Sequence, residues 1–148
     1  MLGKGDKAVE LYKMITPIEH ARTKDAANKY KVEPYVLAAD VYGAQNLAGS
    51  GGWTWYTGSS SWYYLAGIQY ILGLNIYHNT MSFKPCIPKF WDEFEIRYKF
   101  GNSIYNIKVK NPNGKNTGIS KVLIDGNEHE NKILLDSSGK VFNVEIIM

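Results

Sequence analysis

Apolar residues recur at helical spacing in the first half of the chain and at two-residue spacing in the second. The period changes near Pro85-Cys86-Ile87-Pro88. Asp6 suits the N-cap of a helix carrying Ala8, Leu11, Tyr12 and Ile15 on one face, and Pro17 ends that helix. Residues 22–31 are polar and charged around Ala26 and Ala27, which predicts a short surface helix or a loop. Pro34 suits the first turn of a second helix through Tyr35, Val36, Leu37, Ala38, Ala39, Val41 and Tyr42 to Gly43. That stretch is apolar nearly all round, the mark of a buried helix. A glycine-rich loop covers residues 43–52. Ser59, Ser60 and Ser61 can cap a third helix that carries Trp62, Leu65, Ala66, Ile68, Ile71 and Leu72 and stops at Gly73. Two helices buried on every side need more partners than this chain supplies, so a truncated helical array is expected.

From Phe94 the pattern is that of strands. Phe94, Ile96 and Tyr98 alternate with Glu95, Arg97 and Lys99, and Gly101-Asn102 turns the chain. Ile104, Ile107 and Val109 continue to the turn signal Asn111-Pro112-Asn113-Gly114. Residues 121–124 followed by Asp125-Gly126 read as a strand and a tight hairpin turn. Residues 132–135 and 141–147, joined through Ser137-Ser138-Gly139, predict a further hairpin. An antiparallel sandwich fits these strands.

Composition narrows the class. The chain has 148 residues, 45% of them apolar and 21% charged, as in one globular domain or a piece of a larger one. A net charge of +3 with scattered lysines gives no basic stripe, which argues against a nucleic-acid partner. The single Cys86 cannot form an internal disulfide. The N-terminus lacks the apolar core of a signal peptide, and no apolar run approaches the ~20 residues of a membrane span. A cytoplasmic location without membrane association is the expectation.

Candidate chemistry concentrates in residues 51–64, Gly-Gly-Trp-Thr-Trp-Tyr-Thr-Gly-Ser-Ser-Ser-Trp-Tyr-Tyr. Aromatic faces suit sugar rings, and a Gly step followed by serines at a helix start suits an anion. Thr57 and Gly58 would offer a hydroxyl and unobstructed backbone N–H groups to phosphate, or would serve only as a helix cap. Trp53, Trp55 and Tyr56 suit stacking on sugar, or burial in a helical core. Glu33 precedes a proline at an expected helix start, where it would favour the helix dipole or reach a sugar hydroxyl. His20 reads as a loop or helix-end residue, and Cys86 as a packed small apolar residue. Asp92 and Glu93 read as solvated. No Lys or Arg occurs between Lys31 and Lys84, so the chain brings no cation to this segment.

Four segments give the chain a family resemblance: Leu2-Gly3-Lys4-Gly5-Asp6, Val32-Glu33-Pro34-Tyr35-Val36, Trp55-Tyr56-Thr57-Gly58-Ser59 and Pro85-Cys86-Ile87-Pro88. With Tyr70-Ile71-Leu72-Gly73 and Phe94-Glu95-Ile96 in order, they resemble the C-terminal end of the cellobiose and chitobiose phosphorylase family. That family includes the phosphorylase region of cyclic β-1,2-glucan synthases. Thr16-Pro17-Ile18-Glu19-His20-Ala21, with Arg22-Thr23, tilts the resemblance toward the β-1,2-glucan branch.

The resemblance implies an α+β chain. Residues 1–84 would be the last helices of an (α/α)6 barrel, and residues 85–148 a small C-terminal β-domain. It implies inverting phosphorolysis, in which phosphate attacks the anomeric carbon while an aspartic acid protonates the departing oxygen. Thr57 and Gly58 match the phosphate-contacting positions. No residue of this chain matches the catalytic Asp or the phosphate-binding His and Arg, and no cofactor or metal is implied. The expected partners are inorganic phosphate or a sugar 1-phosphate, a β-glucan oligosaccharide, and an upstream polypeptide carrying the rest of the barrel. A split or truncated gene, inactive alone, is the expectation. A carbohydrate-binding or protein-interaction module without catalysis, including association of the chain with itself, is the alternative.

Overall fold

The computed structural model describes residues 2–55 and 57–148, without the side chain of Thr57. The chain divides into two compact units, one of residues 10–67 and one of residues 1–9 with 68–148.

In the first unit, the greater part of α1 (Gly5–Ile15) ends ahead of Pro17, which opens the short α2 (Pro17–His20). Thr23 caps α3 (Lys24–Tyr30), its hydroxyl accepting from Ala26 N at 3.1 Å, and Lys31 closes the helix in the left-handed region at φ 57°. The polar stretch 22–31 is therefore a short helix. A small core forms from Tyr30, Val32 and Val36, with Ala38 packed against it.

Residues 34–43 are not the helix that their apolar pattern predicts. The backbone groups of residues 39–42 are engaged instead with residues 49–53. Ala39 N donates to Trp53 O at 2.8 Å, Gly52 N to Asp40 O at 2.9 Å and Tyr42 N to Ser50 O at 2.9 Å, and Val41 bridges Gly51. Each donor spent across the loop is lost to a helical ladder. Gly51 and Gly52 make the approach possible. A Cβ on Gly51 would lie 2.1 Å from Val32 Cγ2, and one on Gly52 2.2 Å from Asp40 Oδ1. The third expected helix is present as α4 (Thr57–Leu65), so Ser59, Ser60 and Ser61 lie within its first turns rather than ahead of it. It continues as a π-helical turn, Ala66–Ile71.

The second unit is rich in strands. Asp6 lies inside the first turn of α1, not at its N-cap. Its Oδ1 accepts from Lys89 N at 3.0 Å and its Oδ2 from Asn116 Nδ2 at 2.9 Å. Gly5 sits on the Pro85–Pro88 segment, where a Cβ would come within 1.9 Å of Ile87 O. Two of the segments that carry the family resemblance therefore meet. Gly73, at φ 78°, stops the helix where a Cβ would strike the Lys84–Pro85 peptide at 2.3 Å.

A hairpin of β1 (Leu74–Tyr77) and β2 (Thr80–Phe83) follows, turning at His78 with φ 52°. The helical pattern did not predict it. Beyond it lie β3 (Glu93–Phe100), β4 (Ser103–Lys110), β5 (Lys121–Ile124), β6 (Asn127–His129), β7 (Ile133–Leu134) and β8 (Val141–Ile147). One sheet is antiparallel in the order β1-β2-β7, and the other is ordered β3-β4-β8-β5-β6. Together they make a small sandwich-like α+β arrangement.

The sheets are not purely antiparallel, because β8 runs parallel to β4. Nor do β7 and β8 form the expected hairpin: β7 pairs with β2, while β8 lies between β4 and β5. Only two residues of β7 enter a ladder, and Tyr105 ties the chain just beyond it. The Tyr105 hydroxyl accepts from Asp136 N at 2.6 Å, which directs the chain toward β4. Buried Tyr105, Ile107, Val109, Val122, Val144, Ile146 and Met81 form the core of this unit.

Candidate functional site

The aromatic segment and the Glu33 segment meet within the 10–67 unit. Trp55 Nε1 donates to Glu33 Oε1 at 3.3 Å, and the Tyr35 ring stands edge-on to Trp55 with centroids 6.0 Å apart. Trp55 is held at φ 63°, a conformation that a bulky side chain adopts only when its surroundings impose it. The loop interlock of residues 39–42 with 49–53 supplies that constraint and leaves the indole 60% exposed. Trp53 and Tyr35 are also exposed, at 75% and 74%. Within this chain these rings stand outside the small core of Tyr30, Val32 and Val36.

Tyr35 also lines a groove of ≈ 240 Å³ with Thr16, Pro17, Ser60 and Tyr63. Gly58, two residues before Ser60 on α4, is exposed with open space where a side chain would stand. Tyr56 and the side chain of Thr57 lie outside the described residues.

Tyr63, which lines the groove, belongs to a tyrosine pair that the sequence pattern did not single out. The Tyr12 and Tyr63 rings stack with centroids 3.9 Å apart at an interplanar angle of 11°. The Tyr63 hydroxyl donates to Tyr12 O at 3.0 Å and is bonded to the Thr16 hydroxyl, which itself donates to Tyr12 O at 3.0 Å. Burial, with Tyr63 against it, pushes the Tyr12 hydroxyl up to about 12, so it stays protonated at neutral pH. A Cβ on Gly67 would meet that hydroxyl at 2.7 Å. The signal for the pair lay in the spacing of Tyr12 and Thr16, one helical turn apart, but nothing local pointed to Tyr63.

The other titratable candidates are structural. The His20 ring stacks on Tyr30 at 4.5 Å, and its Nε2 donates to Met14 O at 2.8 Å. Cys86 is buried and burial pushes its thiol up, which disfavours the thiolate. Glu93 is at the surface, held by Lys108 at 2.8 Å. Among the described residues no group of three His, Cys, Asp or Glu is placed to hold a metal ion. No helix among them is long and apolar enough to cross a membrane.

The chain can therefore present an exposed aromatic surface, one carboxylate bonded to an indole, and the amide groups of a helix start. Residues 32–83 contribute no cationic side chain to it. Comparison with known proteins gives consistent matches. Residues 1–73 match the family model of the glycosyl hydrolase 94 superfamily, catalytic domain. The chain is 35% identical over 133 residues, 88% of its length, to the cyclic beta-(1,2)-glucan synthase NdvB of Rhizobium meliloti. It is 32% identical over 99% of its length to the N,N'-diacetylchitobiose phosphorylase of Vibrio furnissii. It is 28% identical, again over 99%, to the solabiose phosphorylase of Paenibacillus borealis. It spans 5% of the first of these, 18% of the second and 19% of the third.

Proposed function

We propose, because this chain belongs to the glycosyl hydrolase 94 superfamily, that its 10–67 unit supplies one wall of a phosphorolytic sugar site. The observation that carries this is the meeting of Glu33, Tyr35 and Trp55 beside the groove that Ser60 of α4 lines. The exposed rings of Trp53 and Trp55, with Tyr56, would stack on a β-linked glucose unit, and Glu33 would accept from a sugar hydroxyl. Thr57 and the unobstructed backbone at Gly58 would give donors to phosphate at the start of α4.

The reaction is inverting phosphorolysis. Phosphate attacks the anomeric carbon, and a carboxylic acid protonates the departing oxygen. This chain matches neither the acid nor the cationic phosphate ligands, so both come from residues outside it. In the same reading, residues 1–84 belong to the end of an (α/α)6 barrel and residues 85–148 to its C-terminal β-domain. Identity to the synthase NdvB favours a β-1,2-glucan as substrate.

The test has two parts. Titration with a β-1,2-linked glucose disaccharide should quench tryptophan fluorescence, and Trp55→Ala should remove most of the response. The isolated chain, given the disaccharide and inorganic phosphate, should release no glucose 1-phosphate. Release by the chain alone would overturn the division of roles. A second reading, glycan binding without catalysis, draws on the exposure of Trp53, Trp55, Trp62 and Tyr64. It predicts the same quenching with no effect of any complementing polypeptide.

A further inference from the structure

The outward face of the five-stranded sheet carries a separate candidate site, wholly within the strand-rich unit. The register of β3, β4 and β8 sets Arg97, Asn106 and Asn143 in one cross-strand row and Glu95, Lys108 and Glu145 in the next. Side chains on neighbouring strands stand about 4.8 Å apart, close to the length of one pyranose ring. The face forms an open cradle of ≈ 580 Å³, bounded toward β5 by Leu123 and Gly126.

Three features narrow the ligand. First, the amides are held in place with capacity to spare. Asn106 Nδ2 donates to Asn143 Oδ1 at 3.3 Å, and Asn143 Nδ2 donates to Asp125 Oδ1 at 3.3 Å. Among the described residues each NH₂ retains a second donor, and the Asn106 carbonyl is unused.

Second, charge is balanced. Lys108 is held by Glu93 at 2.8 Å and Glu95 at 3.3 Å, and Glu145 by Lys110 at 2.7 Å. Among the described residues Arg97 has no ion-pair or hydrogen-bond partner, so its fork of N–H donors is free. In the cradle, Arg97 and Lys108 offset Glu95 and Glu145, which leaves no net charge to select an ion. Third, half-buried Leu123 offers an apolar contact beside the polar rows.

We propose that this face binds a neutral gluco-oligosaccharide, as a second glycan contact distinct from the aromatic wall. Planar amide and guanidinium groups pair well with two adjacent equatorial hydroxyls at once, and glucose presents such pairs around its ring. Arg97, Asn106 and Asn143 hold the hydroxyls, and Leu123 meets the ring's C–H face. The proposal goes beyond the phosphorolytic reading and does not depend on it.

The test is titration of the ¹⁵N-labelled full chain with cellotetraose and with β-1,2-linked glucotetraose, followed by amide chemical shifts. Saturable shifts are expected at Arg97, Asn106, Leu123 and Asn143 with at least one of the two. Arg97→Met and Asn143→Ala should each weaken binding about tenfold while the rest of the spectrum shows the fold intact. Trp55→Ala should leave these shifts in place, which separates this site from the aromatic wall. Absence of saturable shifts on this face with both sugars would overturn the proposal. So would an equal response to inorganic phosphate, which would mark an anion site.

Discussion

A methyl group added at Gly5 would sit 1.9 Å from the Ile87 carbonyl oxygen, and backbone cannot step aside as a flexible side chain can. Gly5→Ala is therefore expected to destabilise the strand-rich unit by about 1–3 kcal/mol, lowering Tm by ~2–4 °C for each kcal/mol. A thermal melt matching the parent would show that α1 does not seat there.

Tyr12 predicts a pH dependence. Its hydroxyl rises from 10.0 to about 12 through burial first and Tyr63 second. The folded state then holds a proton that the unfolded state releases, so the stabilisation is complete below pH 10 and is lost as pH rises toward 12. Urea midpoints should fall across that window, and Tyr12→Phe should flatten the fall. At this scale the candidate residues that the sequence marks, Glu33, Trp53, Trp55 and Gly58, stand exposed or half-exposed in one unit. What could not be read was that Glu33 bonds the Trp55 indole, a partnership across 22 residues that depends on the loop between them.

Elements were legible where local period and tertiary partner agreed. The strands β3 and β4 follow their alternation, and the expected turns at Gly101-Asn102 and Asp125-Gly126 are present, where the backbone enters the left-handed region. Residues 34–43 failed because Gly51 and Gly52 let a distant segment take their hydrogen bonds, which no helical pattern encodes. The β1–β2 hairpin was missed because its strands are four residues each and its turn, with His78 at φ 52°, carries no Gly or Pro. The placement of β8 was hidden too, since a parallel pairing between β4 and β8 has no turn signal. Its energetic weight is testable. Ile146 is fully buried on β8, whereas Leu134 on β7 is 70% exposed. Ile146→Ala should cost about 2–5 kcal/mol and Leu134→Ala within about 0.5 kcal/mol, as read from urea unfolding with a shared m-value. Equal costs would place β8 outside the core.

Across the whole chain, apolar burial is uneven between the two units. In residues 10–67 it rests on Tyr30, Val32, Val36 and Leu37, while the other unit buries Met81, Phe83, Tyr105, Ile107, Val109, Val144 and Ile146 among others. Burial at about 25 cal/mol per Å² is the main favourable term in folding, so the smaller core should open first. The segment that carries Glu33, Trp53 and Trp55 is held by scattered cross-loop hydrogen bonds, whereas β4 is laddered on both sides by β3 and β8. Hydrogen exchange followed by mass spectrometry should therefore find peptides from residues 34–55 exchanging at least about 100-fold faster than those from 103–110 and 141–147. That corresponds to roughly 2.7 kcal/mol of opening free energy. Raising urea should release the first set while the second stays protected, and matched protection throughout would show one cooperative unit instead. The outcome bears on the proposed site, because a ligand that binds the closed form of this segment would add its binding energy to the segment's protection. A β-1,2-linked glucose disaccharide that slows exchange in residues 34–55 and leaves β4 unchanged would locate that energy at the aromatic surface.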